Sequence, residues 1–168
     1  MSVAAHDDVR LARARTAAES VVDPEIPVLT LGDLGVLRGV AIGDDGVVEA
    51  TITPTYSGCP AMKTMELDLA VALAKAGFAD ARIRTVLSPA WTTDWLSKEG
   101  RAKLAAFGIA PPPAKASRRA LFGGETAPAC PLCGSGRATL ISEFGSTACK
   151  SLWRCEACRE PFDAFKCI

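Results

Sequence analysis

Cys130-Pro131-Leu132-Cys133 and Cys155-Glu156-Ala157-Cys158 enclose 21 residues near the C-terminus of this 168-residue chain. Each C-x-x-C turn offers two thiolates, and a hairpin closing the stretch between them brings four sulfurs to the corners of a tetrahedron. Zn²⁺ suits that donor set. Tetrahedral sulfur suits iron equally well, so the spacing names the site rather than the ion. The reading predicts ribbon strands at Thr139-Leu140-Ile141-Ser142-Glu143-Phe144 and Ser151-Leu152-Trp153-Arg154, joined at Gly145-Ser146. About forty residues bury too little apolar surface to fold alone. A structural Zn²⁺ supplies on the order of 10–16 kcal/mol toward folding. Cys149 and Cys167 belong to neither turn and stay outside the expected ligand set.

Upstream of the ribbon, Pro111-Pro112-Pro113 and the basic stretch from Lys115 to Arg119 read as a stiff, solvated spacer, with Leu121-Phe122 available to dock on a domain or a partner. Three parts follow: an α+β domain over 1–110, a Pro-rich and basic linker over 111–127, and a zinc ribbon over 128–168. Within the first part, a helix is predicted from Asp8 to Val22, capped by Asp7 or Asp8 and stopped by Asp23-Pro24, with Val9, Ala12, Thr16 and Ala17 on one face. A hairpin is predicted from Gly35–Ile42 and Val47–Thr53 around the turn Gly43-Asp44-Asp45-Gly46. Pro60 opens a second helix with a stripe of Met62, Met65, Leu69, Ala72, Leu73 and Ala76, closed by Gly77. A strand at Ala81–Leu87 and a helix from Asp94 to Phe107 complete the order αββαβα, a two-layer α+β domain.

Composition narrows the classes. Apolar residues make up 49% of the chain, enough for a real core, yet no stretch approaches the roughly 18 uncharged apolar residues of a membrane span. The charged start, Met1 to Arg15, has no apolar signal core. Seven cysteines without a leader point to a reducing cytoplasm and metal thiolates rather than disulfides. Residues 1–113 hold 11 basic and 14 acidic side chains, and the remainder holds 8 and 5. Four thiolates on one divalent ion contribute −2, which leaves the ribbon near about +1. That is a weak footprint for nucleic acid, which calls for dense Lys/Arg clusters.

Cys59 stands in Pro54-Thr55-Tyr56-Ser57-Gly58-Cys59-Pro60, at the expected mouth of the second helix. Backbone N–H groups there favour a thiolate and lower its pKa, and the hydroxyls of Thr55, Tyr56 and Ser57 are close in sequence. The only histidine, His6, lies in the terminal segment, so a Cys–His nucleophile has no support. A metal or cluster ligand, a redox thiol and an inert buried cysteine remain open. Asp23 and Glu25 terminate a helix in one reading and supply oxygen ligands beside Cys59 in another.

Val22-Asp23-Pro24-Glu25-Ile26-Pro27, Leu34-Gly35-Val36 and Ser57-Gly58-Cys59-Pro60 resemble the SufT-like and cytosolic iron–sulfur assembly family. With the tail, which includes Glu143-Phe144-Gly145-Ser146-Thr147-Ala148-Cys149-Lys150 and Glu160-Pro161-Phe162, nearly the whole chain is similar to the PaaD (PaaJ) family of the phenylacetyl-CoA oxygenase system. The resemblance implies a bacterial cytoplasmic protein of aerobic phenylacetate degradation. Its members accompany a di-iron oxygenase and a flavin/iron–sulfur reductase that epoxidise the ring of phenylacetyl-CoA. They are held to help mature that complex by iron–sulfur delivery. On this basis Cys59 corresponds to the assembly domain's reactive cysteine, open to solvent and able to be shared across a homodimer. Asp23 and Glu25 match its acidic turn, while Cys130, Cys133, Cys155 and Cys158 hold structural Zn. The expected cargo is a transient cluster or iron, and the expected partners are the oxygenase and reductase components, with no membrane and no catalytic activity of its own. Two other functions stay in play. One is an electron-transfer or structural subunit with redox iron on the four cysteines. The other is a nucleic-acid ribbon using Arg118, Arg119, Arg137, Arg154 and Arg159.

Overall fold

The computed structural model describes residues 3–112 and 127–166, and the chain divides into two compact units, Met1–Trp91 and Thr92–Ile168. In the first unit, helix α1 spans Val3–Glu19. It begins earlier than Asp7 and Asp8 would cap it, and it ends before Asp23. Its inner row is Ala14 and Ala18, both fully buried, whereas Val9 is 65% exposed. The expected face was therefore rotated. Alanines four residues apart let α1 lie close on its neighbours, and a row of small residues carries little periodic signal. The Arg10 guanidinium donates to the Gly46 carbonyl at 2.9 Å, and Arg13 lies 4.9 Å from the Phe78 ring centroid.

A short helix α2, Leu31–Leu34, was not anticipated. Thr30 and Asp33 form its reciprocal cap: Asp33 N–H donates to Thr30 Oγ1 at 3.1 Å and Thr30 N–H to Asp33 Oδ2 at 3.0 Å. Gly35 ends it at φ 68°, so β1 starts later than expected, at Leu37–Ile42. Strand β2, Val48–Ile52, returns antiparallel to β1 through the Gly43–Gly46 turn. Helix α3, Met62–Lys75, buries Met65, Leu69 and Leu73 and crosses to β3, Arg82–Thr85. β3 pairs in parallel with β2, giving the sheet order β1-β2-β3. The β2–α3–β3 crossover thus supplies the expected parallel return, with helix over sheet.

The second unit holds a 3₁₀ turn at Thr93–Trp95, helix α4 at Lys98–Ala106, and four strands: β4 (Ile109–Ala110), β5 (Ala138–Ser142), β6 (Lys150–Cys155) and β7 (Pro161–Phe165). Its sheet runs β4-β7-β6-β5. The last helix, expected within a domain ending at residue 110, belongs here. Ile109 and Ala110 follow it directly and pair in parallel with Asp163 and Ala164 of β7, drawing α4 to the ribbon. Residues 113–126 of the expected linker, with Lys115, Arg118, Arg119 and Leu121-Phe122, lie outside the described residues. Ala110, Cys130, Trp153, Cys155, Phe162 and Ala164 form the core of this unit. Beside it, Lys150 is buried with its ammonium 3.5 Å from Asp163, which also accepts from Ser146 Oγ at 2.7 Å. Gly145 passes so close to Asp163 and Lys150 that a Cβ would collide, which accounts for a glycine in that loop. No helix among the described residues is long and apolar enough to cross a membrane.

Candidate metal and thiol sites

The two C-x-x-C turns have the same internal geometry. In the first, Gly134 N–H donates to the Cys130 carbonyl at 2.8 Å and Cys130 N–H to the Ser135 carbonyl at 2.8 Å. In the second, Arg159 N–H donates to the Cys155 carbonyl at 3.1 Å and Cys155 N–H to the Glu160 carbonyl at 3.0 Å. Strands β6 and β7 carry the second turn between them, which sets it facing the first. The four sulfurs lie within 4.8 Å of one another. Cys130 and Cys158 are 3.8 Å apart, and Cys133 and Cys155 are 3.5 Å apart. Sulfurs about 2.3 Å from a tetrahedral ion sit about 3.8 Å from each other, so the donor set fits a metal with little adjustment.

Ionisation within the quartet follows from crowding. The Cys158 N–H points at Cys155 Sγ at 3.5 Å, and this backbone donor holds the Cys155 thiol down at about 6. For Cys158, the Glu160 N–H favours the thiolate, but burial and the sulfurs of Cys155, Cys133 and Cys130 prevail and push it up to about 12. Cys155 thus ionises on its own near neutral pH, whereas Cys158 gives up its proton only when a cation takes its place. Cys149 stands apart, buried, with its sulfur 3.0 Å from Thr147 Oγ1. Cys167 lies outside the described residues.

In the first unit, Cys59 precedes α3 by three residues and is 8% exposed, contrary to the solvent-open thiol expected. Gly58 before it takes φ 88°, and the Cys59 N–H donates to the Tyr56 carbonyl at 3.2 Å, folding the loop into a tight turn. The thiol pKa is raised, where a helix mouth had suggested lowering. Burial is the main cause; the Ala61 N–H opposes it, Glu25 pushes upward, Tyr56 opposes again, and Asp23 adds a further upward push. A helix start lowers a thiol's pKa only when the sulfur keeps its solvation, and here it does not. Glu25 and Asp23, distant in sequence, thus act electrostatically on this one sulfur. Asp23 is buried and shapes its own turn, its Oδ1 accepting from the N–H groups of Glu25 at 2.8 Å and Ile26 at 2.7 Å. It forms part of the loop after α1 rather than stopping that helix.

Strand β7 and the Arg159 backbone were missed by sequence reasoning. Pro161-Phe162-Asp163-Ala164 alternates and was a readable strand signal. A left-handed arginine, φ 69°, leaves no mark in sequence beyond its correspondence with Gly134.

Comparisons with known proteins agree with this two-part construction. Residues 11–84 match a family model described as an iron–sulfur cluster assembly protein, and residues 114–166 match the PaaD zinc beta ribbon domain. An Escherichia coli K12 protein, named as one of the subunits of a "Putative 1,2-phenylacetyl-CoA epoxidase", is 50% identical over 148 residues, covering 88% of this chain and 87% of that protein. An "Fe-S protein maturation auxiliary factor" of Porphyromonas gingivalis is 35% identical over 86 residues, 51% of this chain and 81% of that one. A domain of unknown function, DUF59, from Bacillus anthracis shares the fold at 21% identity, with a TM-score of 0.55 over 60% of this chain and 96% of that one. Identity at half of the aligned positions along most of both chains, with an assembly domain and a ribbon in the same order, means that this chain belongs to the PaaD family.

Proposed function

We propose that this protein is an accessory factor of a phenylacetyl-CoA epoxidase complex that handles iron–sulfur cargo for the reductase at Cys59, in the cytoplasm, without catalysis of its own. The supporting observation is a buried Cys59 thiol on which the charges of Glu25 and Asp23 both act. A thiol whose pKa is raised stays protonated at neutral pH and resists oxidants and electrophiles. An arriving cation displaces that proton, and the negative charge of Glu25 and Asp23 favours its approach. Such a ligand engages cargo conditionally, which suits transfer better than storage. Names carried by the relatives, maturation auxiliary factor and epoxidase subunit, indicate the class of client. The quartet Cys130, Cys133, Cys155 and Cys158 offers four protein sulfurs, which would fill every position of a Zn²⁺ and make it architectural.

Cells carrying Cys59→Ser test this reading through iron and sulfide content of the purified reductase. A several-fold loss of cluster, with the variant folded and present at normal level, is expected. Full cluster content in that strain rejects the proposal. Electron transfer through the quartet makes a different prediction, a coloured, iron-containing protein after anaerobic purification; a colourless zinc protein removes it.

A further inference from the structure

We propose that the solvent face of the β5–β6 ribbon is a docking groove for an extended acidic segment of a partner protein, with Arg137, Arg154 and Arg159 as its anion-binding residues. The groove has a volume of about 540 Å³ and is lined by the three arginines together with Thr139, Ile141, Cys155 and Glu156. Strand register gathers them. Thr139 lies opposite Arg154, and the Glu156 N–H donates to the Arg137 carbonyl at 3.0 Å. Arg137, just before β5, lines the groove with Thr139 and with Ile141, which sits at the irregularity between Leu140 and Ser142.

Among the described residues, none of the three guanidiniums makes an ion pair or a hydrogen bond. In the first unit, by contrast, Arg82 meets Asp45 at 2.8 Å and Arg84 meets Glu49 at 3.9 Å. The one carboxylate in the groove, Glu156, accepts from Thr139 Oγ1 at 3.0 Å. Arg159 adds an independent sign. It fills the place in the second turn that Gly134 fills in the first, with φ 69° against 75°, and is the only non-glycine with positive φ among the described residues. Glycine there would carry no strain, so the arginine is held against a backbone preference. What it adds is a third guanidinium at the groove.

Arginine forks match carboxylates two bonds at a time. β5 is the outer strand of its sheet among the described residues, and Ile141 is 52% exposed, so an extended chain can pair along the edge and rest a side chain on it. Nucleic acid fits less well. No groove residue is aromatic, leaving nothing to stack a base, and the near-neutral ribbon provides no long-range field to gather a polyanion. The groove's role is independent of what Cys59 carries.

Fluorescence anisotropy of a short labelled peptide alternating glutamate and valine, titrated with the full metal-loaded chain, tests the proposal. Binding is expected for the native protein, and its loss for Arg154→Glu. Arg159→Gly is expected to weaken binding about tenfold while the melting temperature of the ribbon unit holds or rises, since glycine suits that backbone. No binding at low salt, or unchanged binding by Arg154→Glu, overturns it. So does tighter binding of a charge-matched single-stranded oligonucleotide, or equal affinity for inorganic pyrophosphate, which would make this a nucleic-acid or small-anion site.

Discussion

Cys59 lies just ahead of a helix start, where unpaired N–H groups lower the pKa of a solvated thiol. Burial reverses that effect, and the carboxylates of Glu25 and Asp23 reinforce the reversal. The sign is testable. Alkylation of Cys59 by iodoacetamide, followed by peptide mass spectrometry, should be slow at neutral pH and still be rising above pH 9, the ordinary thiol value. Glu25→Gln removes a like charge, favours the thiolate, and should move the profile to lower pH. An unchanged profile would mean that the carboxylate does not act on the sulfur.

Elements are held by rows of side chains, and α3 shows which row matters. Met65, Leu69 and Leu73 are buried along one face, while Leu67, two residues from Leu69, is 60% exposed. Leu69→Ala should cost about 2–5 kcal/mol of first-unit stability in urea unfolding, because a cavity replaces close-packed methyls. Leu67→Ala should change it by less than about 0.5 kcal/mol. Equal effects would mean that the outer row is covered. The stripe Met62, Met65, Leu69, Ala72, Leu73 and Ala76 was legible because leucine and methionine at helical spacing have one obvious destination. The alanine row of α1 was not, since alanine is compatible with either side of a helix.

The whole molecule is two units with different sources of stability. The first has a core of branched side chains such as Ile26, Leu29, Leu34 and Ile52. The second closes its core around Cys130 and Cys155 themselves, which places the metal site inside the packing. Chelation of the ion at neutral pH should therefore lower or abolish the melting transition of the second unit and leave that of the first unmoved. Acidification should mimic chelation, because protons compete for the thiolates. The sign follows because a ligating cysteine must be deprotonated, so stability from the ion is present at neutral pH and lost as pH falls. Differential scanning calorimetry with a zinc indicator checks both outcomes. A single transition shifting as one body would contradict the division at Trp91/Thr92.

Local chemistry determined much of this protein before any coordinates. Paired C-x-x-C turns named the sulfur quartet, a glycine-bounded hairpin named β1 and β2, and a leucine stripe named α3. Each depends on residues close together in the chain, where spacing dictates geometry. Tertiary structure alone decided the rest. Assignment of α4 to the ribbon rests on two residues pairing with a strand more than fifty positions away, as Ile109 does with Asp163. The state of Cys59 rests on what covers it and on carboxylates from another loop. Burial and long-range electrostatics belong to no short stretch of sequence, because they arise only when distant segments exclude water from the same place.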